Sequence, residues 1–328
     1  MKKFLKVIGI IIIILIVAFA GFYIYMLKAF PKIPPAADVK IESTPERLER
    51  GNYLVNHVVG CVGCHSDRDF GKFAGPVTPG SEGKGGEVFD ESLGFPGSFT
   101  AKNITPAGIG NWTDGELMRA MTTGVNKDGD PLFPLMPYLH FGKMDEEDIK
   151  SIIVYVRTLK PITNEVPKSK AKFPMNIIMR TIPTPADFQK RPDKNNPLEY
   201  GKYLVNSSSC IDCHSQAVKG KIKDGMEYAG GFEFQFKNGY VVRSANITPD
   251  EETGIGKWTK DMFISKFKGF DRPYETFPPV KDGELNTYMP WQYFAGMTTE
   301  DLSAVYDYLR TLKPVSNKVE KFSQIGVK

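Results

Sequence analysis

Two short runs concentrate the reactive side chains of this sequence: Cys61-Val62-Gly63-Cys64-His65 and Cys210-Ile211-Asp212-Cys213-His214. Together they use all four cysteines and two of the four histidines. Two thiols about one helical turn apart can add across the two vinyl groups of a single porphyrin. A histidine directly after the second thiol then lies under the ring and offers one axial nitrogen to iron. A zinc half-site or a disulfide would use the same residue types. Structural zinc, however, needs two ligand pairs that meet, and here each pair has its own histidine in a separate part of the chain. The expectation is therefore two covalently bound haem c groups, held by Cys61 and Cys64 and by Cys210 and Cys213. His65 and His214 are the expected iron ligands.

A second axial ligand must come from elsewhere. Methionine is the usual partner of histidine in a high-potential haem. Met118 and Met121 align with Ile264 and Phe267 and read as core. Met144 and Met297 immediately precede helix starts, the place of a hydrophobic staple. Met136 and Met289 sit in loops, each followed by proline and an aromatic residue, and are the expected iron ligands. His57, and His140, which aligns with Tyr293, read as surface or supporting residues; the alternative has His140 replace Met136 as ligand. Trp112 and Trp258 read either as core anchors or as indole donors to a haem propionate.

These residues belong to a unit that the chain contains twice. Leu48-Glu49-Arg50-Gly51-Asn52-Tyr53-Leu54-Val55-Asn56 returns as Leu198-Glu199-Tyr200-Gly201-Lys202-Tyr203-Leu204-Val205-Asn206. Asn103-Ile104-Thr105-Pro106 returns as Asn246-Ile247-Thr248-Pro249, and Thr158-Leu159-Lys160-Pro161 as Thr311-Leu312-Lys313-Pro314. Each copy opens with an N-cap and a proline, Thr44-Pro45 or Asn196-Pro197, starting a helix that the Cys motif closes. Further helices are expected from Thr113 and Thr259, then over 145–159 and 298–312, each ended by a proline. Asn238-Gly239 between two apolar runs signals a hairpin.

The composition sets limits on partners. Formal net charge is +4, but residues 1–30 hold four lysines and no acid, so the remainder is balanced at 38 basic and 38 acidic residues. A neutral body argues against nucleic acid, which requires a basic surface. From Val7 to Leu27 there is no charge, enough for a membrane-crossing helix. Lys2, Lys3 and Lys6 keep its N-terminus cytoplasmic. Ala18-Phe19-Ala20 also matches a signal-peptide cleavage site. In either reading the body is exported, to the periplasmic or extracellular face, and the Pro-rich Pro31–Ala37 stretch spaces it from the bilayer.

The two Cys motifs, the Asn-Ile-Thr-Pro runs, the Gly-Ile-Gly-x-Trp-Thr runs at 108–113 and 254–259, and the Met-Pro-aromatic loops together resemble the c-type cytochrome family. The likeness is greatest to the cytochrome c subunits of bacterial membrane-bound alcohol dehydrogenases, and extends to Phe173-Pro174-Met175-Asn176. The resemblance implies haem on the cysteines and histidine–methionine ligation of iron. It gives this chain no substrate, since alcohol oxidation lies in a separate subunit, and those subunits carry three haem domains where two are expected here.

The expected fold is mainly α: two tandem cytochrome c domains after one N-terminal transmembrane helix. The divisions are an anchor (1–30), a linker (31–43), domain one (44–162), a linker (163–195), domain two (196–318) and a tail (319–328). The expected role is single-electron transfer at the cytoplasmic membrane, without catalysis. Partners would be a dehydrogenase, a quinol-oxidising complex or a terminal oxidase. The alternatives are an obligate subunit of a dehydrogenase complex and a diheme peroxidase; the peroxidase needs an open iron, which two matched methionine loops argue against.

Overall fold

The computed structural model of the chain describes residues 1–236 and 238–324. The chain is mainly helical, with small antiparallel sheets attached. It begins with one continuous helix, Lys2–Ala29, whose length and composition suffice to cross a membrane. Almost all of its apolar side chains are exposed.

After this helix the same succession of elements occurs twice. The first copy runs through helices Pro45–Tyr53, Cys61–Cys64, Asp114–Thr123, Tyr138–Phe141 and Glu146–Val156. The second runs through Pro197–Ser207, Cys210–Cys213, Lys260–Lys268, Trp291–Ala295 and Thr299–Leu309. Local chemistry sets the starts. Thr44 Oγ1 accepts the Arg47 N–H at 3.3 Å and Asn196 Oδ1 accepts the Glu199 N–H at 3.5 Å, each with proline in the first turn. Thr113 and Glu116 form a reciprocal capping box. Within each copy the first and last helices touch backbone to backbone. A Cβ on Gly51 would lie 2.0 Å from the Ser151 carbonyl oxygen, and one on Gly201 would lie 2.0 Å from that of Ala304. Only glycine permits this approach.

Ile149, Ile152 and Ile153 are fully buried, as their spacing implies, and so are Met144 at 0% and Met297 at 2% exposure. The last helices stop at Val156 and Leu309, three residues short of the expected ends. The final turn instead tightens, with the Thr158 N–H on the Tyr155 carbonyl and the Leu159 N–H on that of Val156. Lys160 precedes proline and is pushed out of helical geometry. The Cys motifs also differ from expectation. Each forms its own turn, set off from the preceding helix by a left-handed residue, Gly60 (φ 66°) or Ser209 (φ 52°). The first copy has one residue more between its Asn56 and its first cysteine. A π turn over Leu54–Val58 absorbs that extra residue.

The expected hairpin forms, with Glu233–Gln235 antiparallel to Tyr240–Arg243. Phe322–Gln324 adds a third strand; the tail beyond it lies outside the described residues. The connecting segments are pinned to the body. Ala37 lies against Gly115, and the Ile41 N–H donates to Asp114 Oδ2 at 2.8 Å. Lys170–Ala171 pairs with the strand Gly97–Thr100. The Asp187 and Gln189 N–H groups bond the Gly142 and Met144 carbonyls.

The two copies exchange contacts. Tyr53 of the first donates its hydroxyl to Asp301 Oδ2 of the second at 2.7 Å, and Tyr203 of the second donates to Asp148 Oδ2 of the first at 2.6 Å. The same hydroxyls accept the Thr298 and Asp145 N–H groups at 3.1 and 3.2 Å. Both carboxylates are buried, Asp148 at 1% and Asp301 at 0% exposure.

Candidate functional site

The geometry around the two Cys motifs is nearly identical. His65 Nδ1 donates to the Lys102 carbonyl at 2.6 Å, and His214 Nδ1 donates to the Ala245 carbonyl at 2.8 Å. A carbonyl only accepts, so each imidazole carries its proton on Nδ1 and keeps Nε2 free as a lone-pair donor. Burial pushes both imidazoles below their ordinary range, which holds them neutral, as metal ligation requires.

The accepting carbonyls are themselves held by a buckle. Asn103 Oδ1 accepts the Thr105 N–H and hydroxyl at 2.9 and 2.7 Å, while its Nδ2 donates to the Ile162 carbonyl at 2.7 Å. Asn246 does the same with Thr248 at 2.9 and 2.8 Å and with Val315 at 2.7 Å. The repeated Asn-Ile-Thr-Pro run thus ties the chain after the last helix to the residue that orients the histidine. The sequence marked this run as repeated but gave it no role. Opposite it, Gly85 and Gly230 donate to the His65 and His214 carbonyls at 2.9 and 2.7 Å. Both glycines have positive φ, 69° and 73°, and a Cβ on either would lie 2.4 Å from the carbonyl carbon of Lys102 or Ala245. Gly230→Ala should therefore lower stability by about 1–3 kcal/mol or more and loosen His214. Gly220→Ala also has positive φ, but nothing lies within 4 Å of its Cβ position; denaturant melts of the two should show the larger loss at Gly230.

All four cysteines are unbridged. Solvent reaches Cys64 and Cys213, yet the surrounding chain encloses them enough that burial raises both thiols, Cys213 to about 12. A side chain that is both reachable and enclosed lines a crevice. Burial also pushes the Cys61 and Cys210 thiols up to about 12. Three buried hydroxyls, those of Tyr138, Ser209 and Tyr293, have no partner among the described residues. Tyr138 lies two residues after Met136, and the Tyr293 ring lies against Gly63, between the first two cysteines. An enclosed crevice with thiols, a neutral imidazole and unspent hydroxyls fits a porphyrin. Among the described residues no three Cys, His, Asp or Glu side chains converge on one point.

Met136 and Met289 are half-buried in the loops that enter helices Tyr138–Phe141 and Trp291–Ala295. Trp112 and Trp258 are half-buried against the core. His140 has both ring nitrogens engaged, Nδ1 with Asn206 Oδ1 at 2.9 Å and Nε2 with Asp212 Oδ1 at 3.1 Å. Neither nitrogen is left for iron. Burial alone would lower this imidazole; Asp212 and Asn206 outweigh that and hold it above its ordinary range. His57 is half-buried, with Nδ1 on the Tyr293 carbonyl at 3.2 Å. Both histidines therefore bridge the copies, a role that no local pattern signals. Each copy's post-methionine helix meets the other copy's Cys motif: His140 on Asp212, and Tyr293 on Gly63.

Residues 198–313 match the family Cytochrome c. The chain is 27% identical over 299 residues to the cytochrome c subunit of the quinone alcohol dehydrogenase of Gluconacetobacter polyoxogenes, covering 85% of this chain and 59% of that one. It is 27% identical over 301 residues to the fructose dehydrogenase cytochrome subunit of Gluconobacter japonicus, covering 87% and 56%. A diheme cytochrome c-type protein of Cereibacter sphaeroides is 26% identical over 199 residues, 58% of this chain and 64% of that one. The chain thus spans between about half and two thirds of the length of these relatives. Residues 198–313 thus carry a Cytochrome c match, and over most of its length the chain is similar to cytochrome c subunits.

Proposed function

We propose that the chain is a membrane-anchored diheme cytochrome c that passes single electrons on the exported face of the membrane to or from a dehydrogenase or respiratory partner. The observation that carries this reading is the pair of matched sites: two Cys-x-x-Cys-His turns, each with a backbone carbonyl fixing its histidine through Nδ1. Bound haem would supply a reversible one-electron couple. The residues do the rest. Cys61, Cys64, Cys210 and Cys213 would attach the two groups, His65 and His214 would offer Nε2 to iron, and Met136 and Met289 would offer thioether sulfur. The proposed domains are 44–162 and 196–318, behind an anchor over 1–30. The match of each copy's elements supports two domains, and the exposed apolar helix Lys2–Ala29 supports the anchor. The similar cytochrome subunits support a dehydrogenase as partner.

The test is spectroscopic. Acid-acetone should leave the haem on the protein, and the pyridine haemochrome should give two haems per chain. Thioether sulfur is a soft, neutral ligand that favours ferrous iron. The oxidised protein should then show the weak sulfur-to-iron charge-transfer band at the red end of its spectrum, with an intensity corresponding to both haems. Met289→His should remove half of that band and lower one of two potentials. Rapid cyanide binding by the wild-type protein would instead reveal an open iron and favour the peroxidase alternative.

A further inference from the structure

The anchor helix does not stand clear of the body. The short helix Met175–Ile178, between the two copies, packs against it. The Phe173 ring meets the Phe19 ring edge-on, with centroids 6.4 Å apart. Arg180 Nη1 donates to the Phe30 carbonyl at 3.1 Å. Phe19 precedes Lys28, the charge that closes the apolar run, by nine residues. At the helical rise per residue that places it about 13 Å below Lys28, close to half the thickness of a bilayer's hydrocarbon core. A residue beside Phe19 is therefore at lipid depth if the helix spans.

The segment has the composition for that position. Phe173 is 64% exposed and Ile178 45% exposed, although each is next to buried or packed chain. Ile177 is turned inward at 9%. The chain leading into this apolar tip carries exposed Lys168 and Lys170, and Lys172, which pairs with Glu91. Part of the backbone is satisfied within the segment, although the buried Asn176 Oδ1 has no partner among the described residues. The Asn176 N–H bonds the Lys172 carbonyl at 3.0 Å, and the Ile177 and Ile178 N–H groups bond that of Pro174 at 3.0 and 3.1 Å. Pro174 has no N–H to satisfy. Unsatisfied backbone is what hydrocarbon excludes.

We propose that residues 173–178 are a second membrane contact, a wedge that enters the outer leaflet beside the anchor. Its occupant is phospholipid: acyl chains against Phe173 and Ile178, and anionic headgroups against the surrounding lysines. Continuity with the exposed flank of the anchor helix selects lipid over a protein partner. The inference rests on the anchor reading given under Proposed function. The wedge would fix the rotation of the body about the helix axis, which one helix alone leaves free.

The full-length protein in liposomes of phosphatidylethanolamine and phosphatidylglycerol, with no other protein present, should be labelled with an apolar aryl diazirine that partitions into lipid. Peptide mass spectrometry should find adducts within 7–27 and again on Phe173 and Ile178. Met262, which is 52% exposed on the body, should carry none. Phe173→Ser with Ile178→Asn should abolish the second set and leave the first. Adducts within 7–27 but none at 173–178 would overturn the wedge and leave the anchor standing. Adducts in neither region would overturn the anchor, and the wedge with it.

Discussion

Replacing Asp148 by alanine should lower the stability of the chain by about 3–5 kcal/mol, the range for breaking a buried ion pair by removing one partner. The carboxylate is 1% exposed. It takes both arms of the Arg50 guanidinium at 2.9 and 2.7 Å, Arg191 Nη1 at 2.6 Å and the Tyr203 hydroxyl at 2.6 Å. These partners come from the first helix of its own copy, from the segment between copies, and from the first helix of the other copy. Alanine would strand Arg50, which is itself mostly buried, and leave Tyr203 without an acceptor. The loss should appear in denaturant melts of the holoprotein. Lys257→Ala, which breaks an exposed pair with Glu252, should leave the melt unchanged. Acid should reproduce part of the effect. Burial alone would raise the Asp148 carboxyl, but Arg50, Tyr203 and Arg191 together reverse this and hold it below the usual carboxylate range. Its contribution is therefore complete above the unfolded value of about 4 and is lost as pH falls through the lower folded value. An Asp148→Ala melt indistinguishable from wild type would show that the exchange between copies carries no stability.

The double variant Cys61→Ala, Cys64→Ala should halve the covalent haem content, from two groups per chain to one. The reason is local closure. The Cys61–Cys64 turn is oriented by the Lys102 carbonyl and the Asn103 buckle of its own copy, and the Cys210–Cys213 turn by Ala245 and Asn246 of its own. Neither attachment turn borrows its buckle from the other copy. Intact-protein mass should therefore fall by one haem plus the two sulfur atoms, and the remaining haem should map to the Cys210–Cys213 peptide. Retention of two covalent groups would refute the assignment of these thiols. Loss of both groups would show that attachment in the second copy depends on the first.

What the sequence made legible was what nearest neighbours decide. Thr44 and Asn196 cap the helices they were expected to cap, and Thr113 and Thr259 cap helices that start where expected, because a side-chain oxygen three residues before an unpaired N–H needs no tertiary context. Met144 and Met297 are buried just before helix starts, in the place their position implied. Asp148 and Asp301 show the limit. Their spacing after Asp145 and Thr298 reads as part of a cap. In the fold, each carboxylate instead accepts a tyrosine hydroxyl from the other copy, across 55 residues for Tyr203 and 248 for Tyr53. No periodicity reports a contact at that separation. The segment over 163–195 read as a linker on its prolines and lysines, and composition could not show that its backbone is tied to Gly142 and Met144. The Asn-Ile-Thr-Pro role was hidden differently: the repeat drew the eye to it, but its function depends on which carbonyl the preceding residue aims at the histidine.

The exchange of tyrosine hydroxyls between the copies is an isologous contact: what one half offers, the other returns. That is the interface of a two-fold homodimer, here written into one polypeptide. In a homodimer every substitution appears on both sides at once. A single chain is free of that constraint. Arg50 stands where the second copy has Tyr200, and each reaches a buried aspartate of its own copy in its own way. His140 meets Asp212 on one side, while Tyr293 meets Gly63 on the other. The chain therefore keeps the geometry of a symmetric pair while giving each site a different electrostatic setting. Under the two-haem reading proposed above, two identical stations would exchange an electron without preference, whereas two unequal ones would give it a downhill direction.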